Sequence, residues 1–249
     1  VRASTEVSNP SKAETLTMSL APMSDMQRFN IQSGLLTWQT SPAGWHIQSH
    51  DLVIESNQQT WPEMTFSLAY QNEQFFGLLN QINVQMLAPL LPLIPNLGRE
   101  QVAWWRDVDL QGEIGPVKVY KAQNQPWITT AKLNKLQWQQ IAQVPGLSPI
   151  DIELSWVDNI LQVALPEQQY QIDFAGGFNQ PLALTGKALS AHFDFNDMRL
   201  LAPNIHFFNE DINLQAALNM HFLEQAAMAL AANMDIYDVA KASNYFPLM

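Results

Sequence analysis

The sequence predicts a mainly β protein with short helices, organised as an antiparallel, strongly curved open sheet, either a groove or a taco-like trough. Apolar and polar residues alternate in many short segments, which is typical of strands with one dry and one wet face. Gly, Pro, Asn and Asp punctuate these segments at short intervals, as turns do. No strand–helix–strand rhythm is present, so neighbouring strands should run antiparallel.

Each predicted strand rests on such an alternating run. In the first half the runs are 16–20, 29–32, 34–39, 45–49, 52–56, 64–70, 76–84, 108–114, 117–121 and 127–133. In the second half they are 150–156, 161–165, 170–174, 191–195, 212–222 and 228–236. Residues 101–106 favour one helical turn, and residues 237–246 favour a short helix that Asp235 caps and Pro247 ends.

Two features predict how the chain is divided. Residues 1–14 are polar and indicate a disordered or extended lead-in, whereas 15–249 form the β segment. Within that segment a pattern recurs after about 152 residues. Its matched positions are Phe76, Leu78, Ile82 and Val84 in the first copy and Met228, Leu230, Met234 and Ile236 in the second. This spacing predicts about one and a half copies of a repeated unit, residues 15–166 and 167–249.

The composition excludes several classes of function. Only 14% of the 249 residues are charged, and 23 acidic against 12 basic residues give a net charge of −11. This balance argues against nucleic-acid binding and against docking onto an anionic membrane surface. No cysteine is present, which excludes disulfides, thiolate metal sites and thiol catalysis. The start at Val1 and the stop directly after a predicted helix indicate a piece of a larger protein.

The residue types that carry catalysis or hold metals in proteins do not form a recognisable site in this sequence. His46 and His50 have the spacing of two metal ligands on a helix, but on a strand they lie about 13 Å apart. The acidic pairs Asp107/Asp109 and Asp194/Asp197 are expected in solvated turns. Neither a G-x-S-x-G elbow nor a glycine-rich phosphate loop is present. We therefore predict no catalytic residues, no metal and no cofactor.

Two sets of apolar residues leave alternatives open. The eight tryptophans (38, 45, 61, 104, 105, 127, 138 and 156) would stack on sugar rings if exposed, but packing in the core is favoured. The apolar strand faces either pack against each other in a sandwich or line an open trough. A trough would expose contiguous apolar area, which marks a binding surface. Hydrocarbon chains would suit it, since each buried CH₂ contributes about 0.8 kcal/mol.

Three tracts carry a resemblance to a known family. They are 178–186 (FNQPLALTG), 232–247 (ANMDIYDVAKASNYFP), and 133–147, which contains L-x-x-L-x-W followed by I-x-x-V-P-G-L. Over residues 15–249 the chain resembles the YhdP family of AsmA-like proteins. The resemblance implies a periplasmic segment of an inner-membrane-anchored protein of Gram-negative bacteria, with a long β groove that supports phospholipid transport to the outer membrane. It implies no catalytic residues.

The expected partners are a phospholipid or another acyl-chain lipid, together with the remainder of the same larger chain. The residues predicted to line the groove are Leu36, Trp38, Trp45, Ile47, Phe66, Leu68, Ile152, Leu154, Trp156, Phe193, Phe195, Ile212, Leu214, Leu218 and Met220. The alternative functions are a carbohydrate-binding β module, which would use exposed tryptophans, and a purely structural β scaffold.

Overall fold

The computed structural model describes most of the chain in two compact units. The described residues are 2–7, 15–18, 27–56, 59–60, 63–85, 87, 105, 107–141, 144–174, 178, 180–222, 227–238, 240–241 and 245. Unit 1 comprises Val1–Asp107 and Glu113–Thr129, and unit 2 comprises Val108–Gly112 and Thr130–Met249. The division into copies at residue 166 stays a prediction.

Nineteen strands make up almost all of the regular structure that is described. In the first half they are β1 Arg2–Val7, β2 Thr15–Met18, β3 Gln27–Ser41, β4 Gly44–Ser56, β5 Gln59–Thr60, β6 Phe66–Gln71, β7 Gln74–Leu79, β8 Ile82–Asn83, β9 Gln111–Ile114 and β10 Val117–Lys121. The others are β11 Ile128–Trp138, β12 Gly146–Val157, β13 Ile160–Leu165, β14 Gln168–Asp173, β15 Leu182–Gly186, β16 Leu189–Asp194, β17 Arg199–Phe208, β18 Ile212–His221 and β19 Ala227–Ile236. The predicted fold class, mainly β and antiparallel, is confirmed.

Unit 1 is a meander around the long strands β3 and β4. Strand β3 pairs with β1 and β2 along one edge and with β4 along the other. The order then continues from β4 to β5 and β6, from β6 to β7, and from β7 to β10. Strands β8 and β9 form a further short pair. Every one of these pairings is antiparallel, as short turns between sequential strands require.

Unit 2 places two short strands end to end where one long strand would fit. Strand β12 pairs with β13 through its second half and with β14 through its beginning. Strand β13 continues to β16 and β14 to β15, and both β16 and β15 pair with β17. Strands β18 and β19 follow. Within the described part, β19 pairs only with β18, so the sheet of unit 2 ends there in an open edge.

Irregular pairing bends one pair of long strands in each unit. The register between β3 and β4 shifts on both sides of Ser33. The register between β17 and β18 shifts between Ala202 and Ile205. Such β-bulges increase the local twist and bend the strand that carries them. These bulges give the curvature that alternation of residues alone does not reveal.

One buried polar residue secures the start of β6. Ser49 is completely buried, and its hydroxyl donates to the carbonyl of Met64 at 3.2 Å. The same oxygen accepts from the backbone N–H of Phe66 at 2.9 Å. The regular ladder between β4 and β6 is interrupted here, so the serine satisfies the N–H of Phe66. The carbonyl of Met64 also accepts from the N–H of Leu52 at 3.1 Å. Nearby, Met64 and Ile82 form a small apolar core.

Several expectations about individual elements need correction. The predicted strand 76–84 is two strands, β7 and β8. Residues 2–7 form β1 within the predicted disordered or extended lead-in, whose boundary at residue 14 stays a prediction. The predicted helix 237–246 and helical turn 101–106 lie largely outside the described residues. The predicted equivalence of Phe76 with Met228 does not extend to orientation. Phe76 lies opposite Ala69, and the position 152 residues after Ala69 is His221. Met228 lies opposite Met220 instead, so the strand pairing differs by one residue between the two copies.

Candidate functional site

An uninterrupted row of apolar side chains crosses six strands of unit 2. Residues that lie directly opposite each other in paired strands point to the same face of a sheet. Following the registers from β12 to β19 gives Trp156, Leu161, Phe193, Leu200, Met220 and Met228. The next row on this face contains Leu154, Val163, Ala191, Ala202, Leu218 and Leu230. We call this surface the unit 2 apolar face.

The opposite face of the same strands is polar on four of six strands along the neighbouring row, with Leu201 and Ala229 as the exceptions. The corresponding positions are Ser155, Gln162, His192, Leu201, Asn219 and Ala229. Arg199 on this side donates from Nε to the side-chain oxygen of Asn219 at 2.9 Å. The opposite face is therefore the more polar of the two along these rows, as expected where one face meets an apolar environment.

The unit 2 apolar face is accessible rather than sealed. Most of its side chains are half-buried, and Trp156, Phe195 and Leu230 are exposed. Trp156 stacks on Phe195 with ring centroids 5.1 Å apart, and Phe193 contacts the edge of Phe195 at 4.7 Å. Ile212, at the other end of the face, is only 4% exposed and belongs to the core. The sandwich alternative would have buried the whole face.

Unit 1 carries an apolar face of its own. The row through β3, β4, β6, β7 and β10 contains Trp38, Ile47, Leu68, Gly77 and Val119. The adjacent row, at the turn end of the hairpins, contains Thr40, Trp45, Tyr70, Phe75 and Lys121. Leu36 and Phe66 lie on the same side in the third row. We call this surface the unit 1 apolar face.

All of the predicted lining residues fall on these two faces, each within its own unit; their role in binding stays a prediction. Sequence reasoning missed Phe75, Leu161, Leu200 and Met228. Phe75 was missed because the pattern drew attention to Phe76 and Leu78, which lie on the opposite face together with Tyr120 and Lys118. The pairing register between β6 and β7 decides which face Phe75 and Phe76 each point to, and the alternation of residues along one strand does not reveal that register.

The other candidate residues have structural surroundings. His46 and His50 both lie on β4, and the Nε2 of His46 lies 2.9 Å from the hydroxyl of Ser67. A carboxylate oxygen of Asp194 accepts from the backbone N–H of Asn196 at 2.8 Å and closes a turn. These contacts give His46 and Asp194 structural partners.

The tryptophans are less buried than the sequence predicted. Trp38, Trp127 and Trp156 are exposed, and no tryptophan of the described residues reaches the core. The indole N–H of Trp138 donates to the carbonyl of Pro145 at 2.8 Å. For the described tryptophans the prediction of packing in the core is therefore wrong, because each of them keeps a partly or fully exposed side chain. Trp61 and Trp104 lie outside the described residues.

A polar cluster attaches the C-terminal segment to the turn between β17 and β18. Lys241 donates from Nζ to Asp211 Oδ1 at 2.8 Å, and the Tyr245 hydroxyl donates to Asp211 Oδ2 at 2.8 Å. Asn209 donates from Nδ2 to the same hydroxyl at 2.8 Å. The hydrogen bond from Lys241 lowers the pKa of Asp211, and burial raises the pKa of Tyr245. The cluster therefore favours an ionised Asp211 and a neutral Tyr245.

We expect Asp211→Asn to lower the melting temperature at neutral pH by about 2 °C, since exposed ion pairs stabilise weakly. Asp211 has a folded-state pKa below its ordinary 3.8, so its contribution is complete above pH 3.8 and is lost as pH falls through the lowered value. Thermal unfolding of both proteins across this range checks the prediction. The curves should converge in acid, and Asp235→Asn serves as the control. A difference that persists below the lowered pKa would contradict this.

Comparison with known proteins assigns the chain to a family. The family model described as YhdP protein matches residues 4–249, nearly the whole chain. The chain belongs to the YhdP family. No curated protein and no solved structure matches it. YhdP membership points to an AsmA-like role of the lipid-transfer class in the bacterial envelope, in a family not known for enzymatic activity. Among the described residues, no helix has the length and apolar character that a bilayer crossing demands.

Proposed function

We propose that this chain is a non-enzymatic segment of a periplasm-spanning lipid-transfer protein that shields phospholipid acyl chains along its apolar faces. The observation that carries the proposal is the row from Trp156 to Met228, which is apolar on all six strands, whereas the row behind it is polar on four of them. Exposed, contiguous apolar area of this kind marks a binding surface. Membership of the YhdP family supports the same class of ligand.

The dimensions of the unit 2 apolar face suit an acyl chain. Six strands at a spacing of about 4.8 Å span about 24 Å. One leaflet of a bilayer has a hydrocarbon depth of about 15 Å, half the thickness of the core. A chain laid across the strands would therefore remain in contact with apolar side chains along its whole length. Each CH₂ removed from water would contribute about 0.8 kcal/mol.

The open edge of unit 2 fits the proposed partner, the remainder of the same larger protein. Nine of the ten residues of β19 are exposed, including Met228 at 63% and Leu230 at 57%, and the exception is Ile236. A long apolar edge strand is a template for another strand. We propose that a further strand of the inner-membrane-anchored protein pairs here and extends the groove through the periplasm towards the outer membrane.

The carbohydrate-binding alternative has less support from the exposed tryptophans. Sugar rings stack on a free face of an indole ring. In unit 2, Phe195 covers one face of Trp156 with an interplanar angle of 6°. A stacked aromatic pair inside an apolar row suits hydrocarbon better than a hydroxylated ring.

Site-specific photocrosslinking in cells tests the proposal. A photoreactive phenylalanine analogue replaces Phe195 on the unit 2 apolar face or Leu201 on the opposite face, side chains that are 40% and 37% exposed. We expect phospholipid adducts from position 195 to exceed those from position 201 about tenfold. Because the two side chains are equally exposed, a difference in lipid adducts between the two positions reflects which face of the sheet they lie on and not their accessibility. Protein adducts without lipid at position 195, or equal lipid capture at both positions, would refute the proposal.

A further inference from the structure

The unit 1 apolar face carries one positively charged side chain in its row of aromatic residues. Lys121 lies directly opposite Phe75, and Phe75 lies opposite Tyr70, so all three side chains share this face. Lys118, on the same strand, lies opposite Leu78 and therefore points to the other face. An ammonium group at the margin of an apolar surface is unfavourable unless it has a polar partner, because its desolvation is costly.

Four aromatic rings in mutual contact lie at this turn end of the hairpins. The ring centroids of Trp45 and Tyr70 are 6.4 Å apart, those of Trp45 and Phe75 are 6.3 Å apart, and those of Phe75 and Trp127 are 5.6 Å apart. The Nζ of Lys121 lies 5.9 Å from the centroid of the Trp127 ring. We call these four rings and the lysine the aromatic rim.

The ammonium group of Lys121 retains capacity for another ligand. It donates one hydrogen bond to the carbonyl of Gln125, and an ammonium has three donors. The ion pairs of the described residues join Lys132 to Glu153, Lys187 to Glu167 and Lys241 to Asp211. In the described part of the chain, Lys121 thus has no carboxylate partner.

We propose that the aromatic rim binds the phosphate end of a glycerophospholipid, with Lys121 contacting the phosphate. Tryptophan and tyrosine concentrate where hydrocarbon meets polar headgroups, because one end of the side chain is apolar and the other is polar. Lysine supplies the point charge that a phosphate accepts. The acyl chains then extend over Leu68, Gly77 and Val119 in the adjacent row. This inference rests on the proposed function and adds the place where the headgroup is held.

Calorimetric titration of the chain separates this site from general lipid binding. The probes are dioctanoyl phosphatidylglycerol, dioctanoylglycerol, which lacks the phosphate, and inorganic phosphate. We expect Lys121→Gln to weaken phosphatidylglycerol binding about tenfold, since one hydrogen bond to a charged group is lost, and to leave dioctanoylglycerol binding unchanged. Lys121→Arg should restore most of the affinity. Lys118→Gln, on the opposite face, is the matched control.

The outcomes distinguish the two proposals. Unchanged phosphatidylglycerol binding by a folded Lys121→Gln variant would overturn the phosphate site while leaving acyl-chain binding in place. Inorganic phosphate that binds as tightly as phosphatidylglycerol, and is lost with the same substitution, would identify a free-anion site and overturn the lipid assignment. If wild-type protein bound neither lipid, both proposals would fail. Thermal unfolding of each variant verifies that the fold is retained.

Discussion

Replacing Leu218 with glutamate is expected to reduce the phospholipid recovered with the chain more than tenfold. Leu218 lies on the unit 2 apolar face between Ala202 and Leu230, in the second of the two rows. A carboxylate there would have to be desolvated under an acyl chain without a partner, which costs several kcal/mol. Each 1.4 kcal/mol corresponds to about a tenfold change in binding. Mass spectrometry of lipid extracted from purified protein provides the measurement.

Two further variants make this result interpretable. Asn219→Glu places the same charge on the adjacent residue of β18, where the side chain points to the polar face and contacts Arg199. It should retain wild-type lipid content. Leu230→Glu introduces the charge in the same row as Leu218 but on the exposed edge strand, so folding is little affected. Equal lipid content in all three variants and the wild type would show that the apolar face does not carry lipid.

We expect Ile212→Ala to lower the free energy of unfolding by about 2–5 kcal/mol, the range for a buried isoleucine whose removal leaves a cavity. Ile212 is 4% exposed and lies opposite Ile236, at the end of β18 beside the Asp211 cluster. Urea unfolding followed by circular dichroism measures the change. This is the largest stability effect expected among the predicted lining residues, because the others retain more exposure.

Leu230→Ala provides the contrast on the same face. Its side chain is 57% exposed, so truncation should change the free energy of unfolding by no more than about 0.5 kcal/mol. Comparable losses at both positions would mean that Leu230 is covered in solution, for example by another strand. A small loss at Ile212 would place that residue outside the core.

The orientation of the predicted lining residues follows from sequence because each run keeps its own alternation. Ile152, Leu154 and Trp156 must share a face wherever β12 lies, since side chains on a strand alternate with period two. Alternation along one strand does not determine which face of the sheet the apolar residues of that strand share with those of its neighbours. The missed residue Phe75 shows this, because Phe75 and Phe76 are equally apolar and only pairing with Tyr70 and Ala69 assigns them to faces. Burial also escapes sequence, and Ile212 and Leu218 look alike until neighbours are placed.

By itself the sequence determined the β class, the antiparallel pairing, the alternating strands and the resemblance to the YhdP family. These depend on local periodicity, turn residues and short tracts, which are written along the chain. Tertiary structure alone decided the register, the bulge between Ala202 and Ile205, the open edge at β19 and the position of Lys121 among aromatic rings. The reason is physical: a shift of one residue between strands leaves local preferences unchanged but moves every side chain of that strand to the other face.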